Sequence, residues 1–237
     1  MAVVELAYDD VRNLPLPDLA LQLLRSLDEE PNFNTLIQVF KQRGPYGTEP
    51  PPDLKSMLSR ISDAWAWLEA RALIGPSVRT TTGGFYRVTA AGAEVVDDPN
   101  ALAKVWAGDR LAGDLNPALS SARSNFALGD YETASFAAMK AVEVEVRRIA
   151  GLPNELVGVS LMRKAFSPKE GVLRDPEAEG GEQQATGDLF AGAIGAYKNP
   201  ASHRAVQFDD PLEAAEVIQL ADLLLRIVQR AAARLQT

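Results

Sequence analysis

"YETASFAAMKAVEVEVRRIAG", Tyr131–Gly151, decides how the second half of the chain is read. Phe136, Ala137, Val142, Val144, Val146 and Ile149 fall on more than one side of a helix. A helix that is apolar beyond a single stripe is mostly buried, as in a bundle. Gly151 and Pro153 supply the stop. A preceding helix in "DLNPALSSARSNFALG" meets this one at Leu128–Tyr131.

Downstream, "VSLMRKAF" reads as a short helix over Ser160–Phe166, and "DPEAEGGE" as a solvated loop. "QQATGDLFAGAIGAYKN" is a further helix with an apolar stripe of Leu189, Phe190, Ala193, Ile194 and Tyr197. Pro200 disfavours helical geometry at Asn199, so this helix stops there. A last long helix starts with Asp210 as cap and Pro211 at its first position. Residues 113–237 are therefore expected to form an all-α bundle.

The first half has a different order. Leu16, Leu19, Leu23 and Leu27 mark one amphipathic helix, and Phe33, Leu36, Ile37 and Phe40 a second, with Gly44 as its stop. After a Pro/Gly-rich loop, Asp53 is placed to cap a third helix from Leu54, in which Trp65, Trp67 and Leu68 read as core. "SVRTT" and "FYRVT" then read as the arms of a hairpin around Gly83-Gly84, and "AAGAEVV" as a short helix. Helix, helix, helix, hairpin is the order of a winged helix. The stretch Leu68-Glu69, Leu73-Ile74, then Tyr86, Val88, Thr89 and Gly92 resembles the recognition-helix end and wing of bacterial winged-helix regulators. The expected organisation is a mainly α protein: a winged-helix domain over 1–97, a connector over 98–112, and the helical bundle over 113–237.

Composition narrows the function. The chain has 237 residues, 46% of them hydrophobic, with no cysteine and a single histidine, His203. Disulfides, thiolate metal sites and multi-histidine metal sites within one chain are excluded. No apolar run reaches the roughly 18 residues of a membrane span, and the start, MAVVELAYDD, lacks the pattern of a secretory signal. A cytoplasmic protein is expected, without a metal or cofactor. The net charge is -8, divided evenly between residues 1–97 and 98–237. A broad phosphate-binding surface is therefore not expected. A small cationic site remains open, and for DNA the candidates are Lys55 and Arg60 on the third helix and Arg79 and Arg87 on the wing. With so thin a set, DNA binding and docking on a protein stand as equals.

"YKNPASHR", Tyr197–Arg204, carries the strongest candidate for chemistry. His203 titrates near neutrality and can move a proton. Lys198 and Arg204 can hold a phosphate, and Asn199 adds a neutral donor and acceptor. Such a set suffices for metal-free RNA cleavage through the ribose 2′-OH, provided a second chain supplies a second histidine. A histidine after an Asn-Pro turn can equally serve as a helix-end hydrogen-bonding group.

The motifs "AAMKAVEVEVR", "VGVSLMRKAF", "LFAGAIGAYKNPASH" and the last helix, in this order over about 113–236, resemble the HEPN superfamily. More narrowly they resemble its uncharacterised bacterial Ymh branch, which is linked to phage defence. The resemblance implies a homodimeric, metal-independent endoribonuclease with RNA as substrate. Its Arg-polar-spacer-His motif falls on Lys198, Asn199 and His203, with lysine standing where the family has arginine. Glu143 matches a position at which such domains often carry an acid, and the resemblance implies that it orients Lys198 or Arg204. Arg147 and Arg148 read as solvated residues at a helix end.

Overall fold

The computed structural model describes residues 6–42, 49–80, 83–96, 98–198 and 208–236. It is mainly helical, with one small sheet. The chain divides into two compact units, Met1–Leu102 and Ala103–Thr237.

In the first unit, helices α1 (Tyr8–Asn13), α2 (Leu16–Ser26), α3 (Phe33–Lys41) and α4 (Leu54–Ala70) precede strands β1 (Ile74–Pro76) and β2 (Tyr86–Val88) and helix α5 (Ala90–Val96). The expected core is seen in part, with Leu16, Leu27, Phe33 and Ile37 half-buried and Met57 and Ile61 added to it. Leu19 and Leu23 of α2, Leu36 and Phe40 of α3, and Met57, Ile61, Trp65 and Leu68 of α4 are all buried. Trp67 is only half-buried, under the guanidinium of Arg71, 4.0 Å from the ring centroid.

The residues of the wing-like motif each have a structural task. Tyr86 packs edge-on against Trp65 and donates its hydroxyl to Glu69. Thr89 donates its Oγ1 hydrogen to the carbonyl of Ala72 and accepts from the Gly92 N–H, which caps α5. Gly92 lies so close to the Leu73 carbonyl that a Cβ there would sit 2.1 Å from its oxygen.

Two local expectations are corrected, and one element is added. The first strand is Ile74–Pro76, paired antiparallel with Tyr86–Val88, and not Ser77–Thr81. Ser77 instead starts the connecting loop, and its hydroxyl is pinned by Glu30, which also accepts from Thr80. Asp53 stands before α4 but makes no side-chain cap. Both of its oxygens accept from Arg12, at 2.7 and 3.0 Å. Helix α1 is an element that periodicity over six residues does not announce. Gly44 and Thr81 lie outside the described residues.

The division between the units falls within helix α6 (Ala101–Leu111), so the connector segment is largely helical. The second unit continues with a 3₁₀ turn (Pro117–Leu119), α7 (Ser120–Ala127), α8 (Tyr131–Ala150), α9 (Gly158–Ala165), α10 (Gly180–Ala193) and α11 (Pro211–Arg234). Helix α8 is central. It packs against α7, α9, α11 and the end of α10. Asp130 caps it by accepting from the Thr133 N–H, and Gly151 ends it at φ 63°. Its core face is Ala138, Met139, Val142 and Val146, none of them exposed. Burial of each valine is worth about 1.5–3 kcal/mol. The expected all-round burial is only partial: Phe136, Ala137 and Ile149 are half-buried, and Val144 is 49% exposed. Asp210 and Pro211 begin α11 as expected. The buried Asp222 of α11 accepts from the Asn116 N–H and from Arg226, both at 2.7 Å, and so ties the start of the unit to its last helix.

Candidate functional site

Helix α10 does not simply end. After Ala193 the chain widens into a π turn, Ile194–Lys198. Such turns are rare and are frequent at functional sites. This one packs against α8 and α9, and its last residue is Lys198.

The Lys198 amine reaches Oε2 of Glu143 on α8 at 2.9 Å. Glu143 is buried, and only 6% of its side chain is exposed. The same Oε2 accepts from the backbone N–H of Gly158 at 3.0 Å, and Oε1 accepts from Arg147 at 2.8 Å. Arg147 sits one turn further along α8 and also donates to the Leu156 carbonyl. One carboxylate therefore holds three elements together: α8, the first residue of α9, and the π turn. Helix α9 lacks a side-chain cap from Val157, so Glu143 supplies the acceptor from another helix. Gly158 has φ 62°, which a side chain would disfavour.

The electrostatics follow. Burial pushes the Glu143 carboxyl up, but hydrogen bonds from Lys198, Arg147 and the Gly158 N–H outweigh that and hold it below the usual range. Two cations share one carboxylate, so these three side chains carry one unit of positive charge. The arrangement can present a fixed cation to an anion such as a phosphate.

The candidates separate clearly. Glu143 and Lys198 are brought together. Asn199, His203 and Arg204 lie outside the described residues, as does Pro200. Arg147 is not a solvated helix-end residue: 14% of its side chain is exposed and it completes the cluster. The Glu143–Arg147 spacing of four was legible as a helical ion pair. Arg148 is exposed and pairs with Glu145.

In the first unit, Arg60 donates its guanidinium hydrogens to the carbonyls of Val11 and Leu14, which locks the turn between α1 and α2. Arg79 is exposed and faces Glu29 at 3.4 Å. Lys55 and Arg87 are exposed on α4 and β2. Arg79 and Arg87 border an open cavity of about 340 Å³ together with Glu29 and Glu30, so the cations there are interleaved with acids.

Among the described residues, no three His, Asp or Glu side chains are grouped to hold a metal, and no helix is long and apolar enough to cross a membrane. Residues 116–228 match the model of a family described as "Protein of unknown function (Hypoth_ymh)". That span is just under half of the chain and contains Glu143, Arg147, Gly158 and Lys198. Comparison with curated proteins and with solved structures gives no match.

Proposed function

We propose that the second unit is a HEPN-type, metal-independent endoribonuclease, active as a cytoplasmic homodimer in bacterial phage defence or stress response. The observation that carries this reading is the buried Glu143–Lys198 pair at the end of the π turn. It fixes a cation one residue before the segment that contains Asn199 and His203. In the proposed reaction His203 of one chain takes the proton of a ribose 2′-OH, and O2′ attacks the adjacent phosphorus. The bond to the 5′ oxygen breaks, and His203 of the second chain protonates that leaving oxygen. Lys198 offsets the charge that builds on the phosphate. The products are a 2′,3′-cyclic phosphate and a 5′-hydroxyl.

The first unit, in this reading, is a winged helix that docks on DNA or on a protein. Its helix order, its antiparallel strand pair and the motif from Leu68 to Gly92 support that assignment. Of the four candidate cations, Lys55, Arg79 and Arg87 are exposed for phosphate contacts, Arg79 beside Glu29, whereas Arg60 is occupied by backbone carbonyls.

The test is incubation of purified protein with RNA in EDTA, beside His203→Ala. Cleavage by the wild type and none by the variant is expected. Intact RNA with both proteins overturns the reading.

A second reading has its own support. Only 15% of the Lys198 side chain is exposed and its amine is already paired. In a non-catalytic adaptor the cluster would serve only to lock three elements together. That reading expects His203→Ala to leave function intact, and DNA binding, if present, to fall with salt.

A further inference from the structure

The second unit holds a separate cavity of about 190 Å³, bordered by Arg174, Arg230, Arg234, Gln183, Phe166 and Ile227. Gln183 lies in the first turn of α10, whereas Lys198 lies 15 residues further on. At about 1.5 Å per residue the two sites are roughly 20 Å apart along the helix. A neighbouring cavity of about 250 Å³ shares Arg174 and Arg234.

The walls are preformed. Gln183 donates from Nε2 to the carbonyls of Asp175 and Ala178, at 2.8 and 3.0 Å, and so fastens the loop to α10. Gly171 lies so tightly on the end of α9 that a Cβ there would stand 2.3 Å from the Ser167 nitrogen. Phe166 is buried and stacks on Phe190 with ring centroids 4.1 Å apart, giving the cavity a firm apolar side.

The charge is out of balance. Three arginines line the cavity against one acidic residue, Asp175, whose carboxylate lies 3.3 Å from Arg234. The local excess is two positive charges on a chain whose net charge is -8. Like charges around one cavity repel, and a dianion bound among them relieves that repulsion. Arginine forks match phosphate oxygens. The volume is below the roughly 300–1,000 Å³ of pockets for drug-sized ligands, so the ligand is small.

We propose that this cavity binds a small organic phosphomonoester, its dianion on Arg174, Arg230 and Arg234 and its apolar body toward Phe166 and Ile227. Titration calorimetry on the full chain with phenyl phosphate tests it, with phenol, benzoate and inorganic phosphate as comparisons. Saturable binding of phenyl phosphate is expected, tighter than that of benzoate or inorganic phosphate, with no binding of phenol. Arg230→Ala should weaken it by at least about tenfold. Asp175→Asn should strengthen it, because the competing carboxylate is gone, whereas a merely structural role for that pair predicts no gain. Lys198→Ala should leave it unchanged, which keeps this site distinct from the proposed ribonuclease centre. The assignment is overturned by absence of saturable binding, by equal affinity in Arg230→Ala, or by benzoate binding as tightly as phenyl phosphate.

Discussion

Lys198 and Glu143, 55 positions apart in sequence, meet at 2.9 Å between Nζ and Oε2 where little water reaches either side chain. Removing the carboxylate leaves Lys198 and Arg147 without their shared counter-charge. Glu143→Gln is therefore expected to destabilise the second unit by about 2–4 kcal/mol. Denaturant unfolding followed by circular dichroism measures this, and a change below about 0.5 kcal/mol contradicts the assigned role.

The same carboxylate imposes a pH dependence. Its folded-state pKa lies below the ordinary value of 4.5, because the hydrogen bonds from Lys198, Arg147 and Gly158 outweigh burial. Its contribution is thus fully present above about pH 4.5. It is lost as pH falls from there through the depressed folded value, because the unfolded chain takes up the proton first. Stability measured from pH 7 downward should fall less steeply in Glu143→Gln. Parallel curves for the two proteins would contradict the claim.

Lys198→Arg retains the charge and restores a fork, whereas Lys198→Met leaves Glu143 with Arg147 and the Gly158 N–H. If the ribonuclease reading holds, the arginine variant cleaves RNA and the methionine variant does not. The methionine variant should also lose about 2 kcal/mol of stability. Gel analysis of RNA products beside thermal denaturation separates the two effects.

In the first unit Gly92 has no room for a methyl group, given the 2.1 Å approach to the Leu73 oxygen and 2.9 Å to Val88 Cγ1. Gly92→Ala is expected to cost about 1–3 kcal/mol. Trp65 and Trp67 are the only tryptophans of that unit, so fluorescence in a Trp106→Phe background reports its unfolding.

Arg60 and Arg87 should part company in the same assay. Arg60→Ala leaves the Val11 and Leu14 carbonyls without their donors and should cost about 1–3 kcal/mol. Arg87→Ala, at an exposed strand position, should change stability by less than about 0.5 kcal/mol. If the unit binds DNA, Arg87→Ala should instead weaken binding and flatten its salt dependence.

Apart from α1, the helices were legible because their signals are local. Asp130 and Asp210 act as caps and Gly151 as the left-handed stop, each within a turn of the element it delimits. The first arm of the hairpin was misplaced because Ile74-Gly75-Pro76 reads as punctuation, while its strand character comes from pairing with residues twelve or so positions away. Val144 reads as core from hydropathy alone, but which face of α8 is covered depends on the helices around it. At the candidate site the Glu143–Arg147 pair follows from helical spacing. The Gly158 N–H and the Lys198 amine reach the same carboxylate only through the tertiary fold, and no periodicity encodes that meeting.

The widened turn at Ile194–Lys198 has a consequence for length variation in this chain. A π turn holds one residue more than an α turn can accommodate. Deleting a single residue between Ile194 and Tyr197 would close the widened turn and let α10 run on as a regular helix. The lysine would then keep nearly its present side of the helix, because the π turn is what takes up the extra residue. A deletion there is thus the length change that the Glu143–Lys198 pair best survives, whereas adding or removing a residue in the regular part of α10 turns Lys198 by about 100° around the axis.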